Sequence, residues 1–202
     1  YNASGNYTVK VTAKSSSGAA ISKSIDITVT VAMKLVWSDE FDTPGAPNSN
    51  KWGYDIGASG WGNNESQYYT DRRDNSYVTD GTLKIVAKKE AFSSSQYTSA
   101  RLLSKGKYSF KYGKVEVRAK LPLGVGTWPA IWMLGDNIST VSWPACGEID
   151  IMEHVGRDLN KIISAFHYPV YFGGNAKVAT TMVPTATTEF HVYKLEWTPV
   201  SM

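Results

Sequence analysis

Cysteine is nearly absent from this 202-residue sequence: Cys146 stands alone. A single thiol excludes an internal disulfide framework and a multi-cysteine metal site. Histidine is scarce as well, with three scattered residues, so no histidine-based transition-metal site is expected. No apolar run approaches the roughly 20 residues that a membrane helix needs, so no membrane partner is expected. Basic residues exceed acidic ones by only 21 − 18 = +3 and form no cluster, which argues against nucleic acid as a partner. The 42% hydrophobic and 19% charged fractions are those of a globular chain and not of a disordered one. What is abundant is aromatic surface, with seven Trp and twelve Tyr. Large rings serve strands and sugar-binding clefts alike, so the excess does not choose between them.

The patterning is that of strands. In residues 7–13, Tyr7, Val9, Val11 and Ala13 alternate with Thr8, Lys10 and Thr12. Ile25, Ile27, Val29 and Val31 repeat the period, with the turn sequence Ser15-Ser16-Ser17-Gly18 between the two runs. Leu83/Ile85/Ala87, Val115/Val117/Ala119/Leu121 and Tyr193/Leu195/Trp197 alternate in the same way. No segment keeps a 3.6-residue stripe for three turns, and Gly, Asn, Asp and Pro interrupt the chain about every ten residues. Short strands at that spacing predict an all-β sandwich or barrel. The composition shifts after Ala32-Met33-Lys34, from a Ser/Thr-rich hairpin to an aromatic-rich remainder. Two units are therefore expected, residues 1–31 and 35–202.

Chemistry concentrates at Gly147-Glu148-Ile149-Asp150-Ile151-Met152-Glu153. Three acids within six positions are costly, because crowded like charges raise one another's pKa. Alternation puts Glu148 and Asp150 on one face and the two isoleucines on the other. Glu153 lies an odd five residues after Glu148, so a regular strand would turn it into the isoleucine face. One extra residue, a β-bulge near Ile151–Met152, would restore parity and gather all three acids on one side. Two carboxylates about 5–5.5 Å apart suit a retaining glycosidase, one as nucleophile and one as acid/base. Asp150 between them can help hold the two in opposite protonation states. A solvated acidic strand or a calcium-binding edge would use the same residue types. The neighbours favour the first reading: Trp128 and Trp132 precede the motif and Trp143-Pro144-Ala145-Cys146 runs into it. Flat rings bind the apolar faces of sugars. Cys146 has no paired histidine to make it a nucleophile and reads as a small buried residue; His154 is expected on the face opposite Glu153.

The run Trp128-Pro129-Ala130-Ile131-Trp132-Met133-Leu134, then Trp143-Pro144 and Gly147-Glu148-Ile149-Asp150-Ile151-Met152-Glu153, closely resembles glycoside hydrolase family 16. Trp37-Ser38-Asp39-Glu40-Phe41-Asp42, Trp61-Gly62-Asn63-Asn64-Glu65, Gln67-Tyr68-Tyr69, Ser99-Ala100-Arg101-Leu102 and Tyr112-Gly113-Lys114-Val115-Glu116-Val117-Arg118 fit the same pattern, which covers residues 35–199 in order. The bulged acid spacing and the two Trp-Pro pairs point to the laminarinase-like, endo-β-1,3-glucanase branch. The resemblance implies a concanavalin A-like jelly-roll β-sandwich that cleaves laminarin-type β-glucan with retention, as a secreted monomer needing no cofactor. Position by position it implies Glu148 as nucleophile, Glu153 as acid/base and Asp150 as the assisting acid. It places Trp128, Trp132 and Trp143 along the cleft, with Asn63, Arg101 and His167 near sugar hydroxyls. Asn63-Asn64 equally reads as a turn and Arg101 as an ion-pair partner; His167, alternating with Phe166 and Tyr168, faces the cleft or packs. Agarase or another bulged galactanase is the neighbouring enzymatic reading, and a non-catalytic glycan-binding jelly roll the reading from a different class. The family pattern continues past Met202, so the sandwich is expected to be C-terminally incomplete here, with a structural calcium region among the further strands. At the other end, Gly5-Asn6-Tyr7-Thr8-Val9-Lys10-Val11 resembles the late strands of a PKD-type or other immunoglobulin-like module, making residues 1–31 the remnant of an accessory module. A hairpin packed on the main domain is the other reading of that segment.

Overall fold

The computed structural model describes residues 5–29 and 33–202. The ends of the predicted N-terminal segment, residues 1–4 and 30–32, including Val31 of its second apolar run, lie outside the described residues. The chain forms two compact units, one of Tyr1–Ser38 with Trp197–Met202 and the other of Asp39–Glu196. Regular structure among the described residues is all strand apart from one 3-10 turn at Gly173–Asn175.

The first unit contains the expected hairpin. Strands β1 (Gly5–Lys14) and β2 (Ala20–Val29) pair antiparallel without a break, from Gly5 opposite Val29 to Lys14 opposite Ala20. Gly18, at φ 86°, closes the turn with its amide on the Ser15 carbonyl at 3.0 Å, a conformation glycine adopts at no steric cost. Directly opposed residues share a face, so Tyr7 and Val9 stand beside Ile27 and Ile25. The reverse face is polar and zipped by hydrogen bonds from Thr8 to Asp26 at 2.6 Å and from Thr28 to Asn6 at 2.8 Å.

The second unit opens with strands too short to show a period: β3 (Gly53–Asp55), β4 (Gln67–Tyr69), β5 (Ser76–Thr79) and β6 (Thr82–Ile85). β7 (Lys88–Phe92), β8 (Ser95–Ser99) and β9 (Arg101–Leu103) follow. They form three small sheets, β3–β9, β4–β8–β7 and β5–β6. Buried Asn75 binds these pieces: it accepts from Thr70, and its amide donates to Thr98 at 2.9 Å and to the Val86 carbonyl at 3.0 Å. Beyond them run β10 (Gly113–Ala119), β11 (Ala130–Leu134), β12 (Glu148–Glu153), β13 (Lys161–His167), β14 (Lys177–Met182) and β15 (His191–Trp197). β10 pairs with β15, while β11–β12–β13–β14 make a four-stranded antiparallel sheet.

One face of that sheet is the core. Ile151 and Met152 of β12 and Ile162 of β13 cluster with Leu121, Ala186 and Tyr193, and Ile131, Met133, Val115 and Leu195 pack around them. Met152 is 1% exposed. Fully burying such side chains stabilises by about 1.5–3 kcal/mol each, so the apolar members of β12 fix which way the strand faces. The other face of the same strand is left to the acids.

Candidate active site

The register of β12 shows how three acids come to share a face. Against β11, Ile131 lies opposite Met152 but the next residue, Trp132, lies opposite Asp150, so β12 carries one residue more. Against β13, Asp150 opposes Ala165 and Glu153 opposes Ile163, again three steps against two. The extra residue is therefore at Ile151–Met152, where the sequence spacing places it. Both bulged side chains go into the core, and Glu153 returns to the face of Glu148 and Asp150. The same register chooses their neighbours. Trp132 stands directly across from Asp150, and His167 directly across from Glu148.

The acids are unequal. Asp150 is buried, and its pKa is pushed up to about 8, chiefly by burial, then by the charges of Glu148 and Glu153 and a hydrogen bond with Glu148. Burial also raises the pKa of Glu153. The indole Nε1–H of Trp128 donates to Glu153 Oε1 at 2.9 Å and acts in the opposite sense, favouring the carboxylate. His167 Nε2 lies 3.1 Å from Asp150 Oδ2 and 3.9 Å from Glu148 Oε1.

Aromatic rings wall this face. Trp128 and Trp143 are about half exposed, and Trp143 lies 5.8 Å from the His167 ring and edge-on to Phe172 at 5.4 Å. The Trp143–Pro144 peptide is cis. Arg101 ends up between rings: its guanidinium carbon sits 4.6 Å from the centre of Trp132 and 4.8 Å from that of Trp61, and Nε is 2.9 Å from Asp55 Oδ2. The ion-pair reading of Arg101 thus describes its contacts, and the ion pair holds it against the acid-face Trp132. Asn63 is an exposed turn residue whose amide bonds the Gly60 carbonyl at 2.9 Å, and no contact brings its side chain to the acids. Next to this turn, Glu65 accepts from both Gln67 and Tyr69 at 2.6 Å, and burial together with Glu65 raises the Tyr69 pKa.

His154, next to Glu153 and just past the end of β12, is wholly buried. Cys146 is half-buried, less enclosed than its sequence setting suggests, because it sits in the loop entering β12. Glu148, Asp150 and His167 bring potential ligand atoms within 4.8 Å of one another. The donor set does not suit an ion. The Gly173 amide donates to His167 Nδ1 at 3.1 Å, so the neutral ring carries its proton on Nε2, the nitrogen that faces the acids. Two carboxylates also fall short of the six to eight oxygens that calcium takes. Sequence reasoning did not single out Asp55, Trp61, Phe172 or Gly173 as site residues. The Trp61 ring was visible in the aromatic excess. The Gly173 contribution is a backbone amide and leaves no residue-type signal.

Comparison with known proteins finds likenesses to a family model, to curated proteins and to solved structures. The family model described as glycosyl hydrolases family 16 matches residues 63–202. A curated beta-glucanase of Rhodothermus marinus is 51% identical over 171 residues, covering 82% of this chain and 60% of that protein. A beta-1,3-glucan-binding protein of Penaeus monodon is 32% identical over 219 residues, covering 83% of this chain and 59% of that protein. Among solved structures, the laminarinase from Rhodothermus marinus superposes with a TM-score of 0.81 at 50% identity, over 83% of this chain and 69% of that one. The chain spans about 60% of the length of these curated relatives.

Proposed function

Because the chain belongs to glycosyl hydrolase family 16 and shares the jelly-roll β-sandwich of its solved relatives, we propose that it hydrolyses β-1,3-glucosidic bonds within laminarin-type glucan, with retention of configuration. One observation carries the reading: the bulge at Ile151–Met152 sets Glu148, Asp150 and Glu153 on one face, between Trp132 and His167. Glu148 attacks the anomeric carbon and expels the leaving sugar, whose oxygen takes the proton of Glu153. Water then enters, gives its proton back to Glu153 and releases the product from Glu148. Glu153 must begin protonated, and its burial favours that form. Asp150 keeps a proton into the neutral range, which spares Glu148 a second adjacent negative charge. Carboxylates and solvent supply every group in this sequence of steps, so no cofactor is needed.

Trp128, Trp132 and Trp143 stack on glucose faces, and Arg101 steadies Trp132. Asn63 contacts sugar from its exposed turn. A polymeric substrate that does not enter cells supports export, and the protein acts as a monomer. Residues 1–31, which include the β1–β2 hairpin, belong to an accessory module of an exported polysaccharide-degrading protein. The likeness to a glucan-binding protein makes binding without cleavage the second reading. The desolvated acid trio favours hydrolysis, because a binding site gains nothing from holding Asp150 and Glu153 in costly burial. A reducing-sugar assay on laminarin, lichenan, agarose and carrageenan tests the proposal. Laminarin is expected to be cleaved fastest, and binding of laminarin without release of reducing ends contradicts hydrolysis.

A further inference from the structure

The segment that follows β13 reaches both the aromatic wall and the acids. Tyr168 and Tyr171 exchange both of their backbone hydrogen bonds at 2.9 Å, and Val170 between them sits at φ 78°. A β-branched residue keeps that conformation only where its surroundings impose it. Here the Asn175 side chain donates to the Val170 carbonyl at 3.0 Å, and the Asn175 amide to the Phe172 carbonyl at 3.1 Å. Lys177 caps the Tyr171 ring at 3.7 Å. Held this way, the loop leans the edge of Phe172 on Trp143 and aims the Gly173 amide at His167 Nδ1.

We propose that residues 168–175 are a positioning element: through the Gly173 amide they fix His167 as the Nε2–H tautomer, so that a donor faces Asp150 and Glu148. A ring nitrogen that accepts from an amide cannot carry the proton of a neutral imidazole, so the proton is on the other nitrogen. That nitrogen lies 3.1 Å from Asp150 Oδ2. A donor beside Oδ2 leaves the proton of Asp150 to Oδ1, free to be shared with Glu148. The opposite tautomer would set a lone pair against the carboxylates and repel them. His167 and the loop therefore act through Asp150 on the nucleophile, while Phe172 ties the same loop to the wall where glycan stacks.

The catalytic consequence rests on the proposed glucanase reading; the tautomer does not. Histidine-selective 15N spectra of the intact protein without substrate read it directly, because the protonated and unprotonated ring nitrogens differ widely in shift. Nε2–H is expected for His167, and Nδ1–H overturns the proposal. Gly173→Pro removes the amide, and Asn175→Ala, a gentler change, releases the loop. Each is expected to mix the two tautomers and to lower kcat on laminarin about tenfold with little change in KM, because the Nε2–H no longer stands steadily beside Asp150 Oδ2, which has no other partner among the described residues. In a His167→Gln background the side chain has no tautomer to set, so the same loop substitutions are expected to cost less than about twofold. Equal losses in both backgrounds overturn the proposal, because the loop would then act without His167. A protein that cleaves no laminarin yet shows Nε2–H refutes the glucanase reading and upholds the tautomer.

Discussion

Asp150 links the chemistry of the site to the stability of the fold. Its pKa is raised from 3.8 to about 8, so over that window the folded chain holds a proton that the unfolded chain has released. Stability is therefore expected to fall as pH rises through the window, by at most about 1.4 kcal/mol per pH unit from this group. Asp150→Asn keeps the shape without the titration and is expected to melt at a higher temperature than wild type at pH 8, with no advantage at pH 4. Thermal melts of the two proteins across pH check this. Trp128 is expected to tune Glu153. Its indole N–H favours the carboxylate, so Trp128→Phe raises the Glu153 pKa further and moves the alkaline limb of kcat/KM to higher pH. A pH–rate profile in which that limb stays or moves down contradicts the hydrogen bond's role. Glu148→Gln and Glu153→Gln are each expected to lower kcat on laminarin by about 10²–10⁴-fold or more, with the fold intact by circular dichroism. Near-normal turnover in either would remove that residue from the mechanism.

At the scale of elements, the site depends on one added residue and on a close backbone approach. Deleting Met152 returns β12 to a regular two-residue period that keeps the acids on one face, but it removes a core side chain around which the neighbouring strands pack and shifts Glu153 along the strand, so activity is expected to fall sharply and the melting temperature to drop. Gly156 lies where an added Cβ would meet the Gly124 carbonyl oxygen at 1.9 Å, in the loop that leads to Trp128. Gly156→Ala is expected to push that loop away, destabilise the chain by about 1–3 kcal/mol and draw Trp128 off Glu153. Denaturant melts and the pH–rate profile read the two effects. The bulge was legible because three acids at offsets of two and five admit only one arrangement that shares a face. Alternation likewise placed β1, β2, β10 and β15, and in β10 and β15 it is matched by alternating burial. Leu121, the last residue of the Val115–Leu121 alternation, lies past the end of β10 and is held by its amide on the Ala186 carbonyl at 3.0 Å. β3, β4 and β9 have three residues each, too few to display a period. β14 is exposed at every position and so carries no apolar stripe to read.

For the whole molecule, the residues around the acids come from distant parts of the chain. Trp132, Glu148 and His167 meet through adjacent strands, and their own sequence spacing anticipates the meeting once the strands are paired. Arg101 meets Trp61 and Asp55 only through β9, across contacts that no local pattern encodes. The Gly173 amide is hidden from sequence for a different reason, since every residue but proline offers one. All of these residues lie in the unit Asp39–Glu196, while the hairpin belongs to the other. Removing residues 1–31 from the intact protein is therefore expected to leave laminarin turnover within about twofold, as assayed by reducing ends. The central claim is that Glu148 and Glu153 act from one face of β12 in a double displacement. Proton NMR of laminarin during the first minutes of digestion tests it most directly, by following the anomeric signals of new reducing ends. The β-anomer is expected to form first, with the α-anomer growing in later by mutarotation. New reducing ends that form first as the α-anomer would contradict the claim.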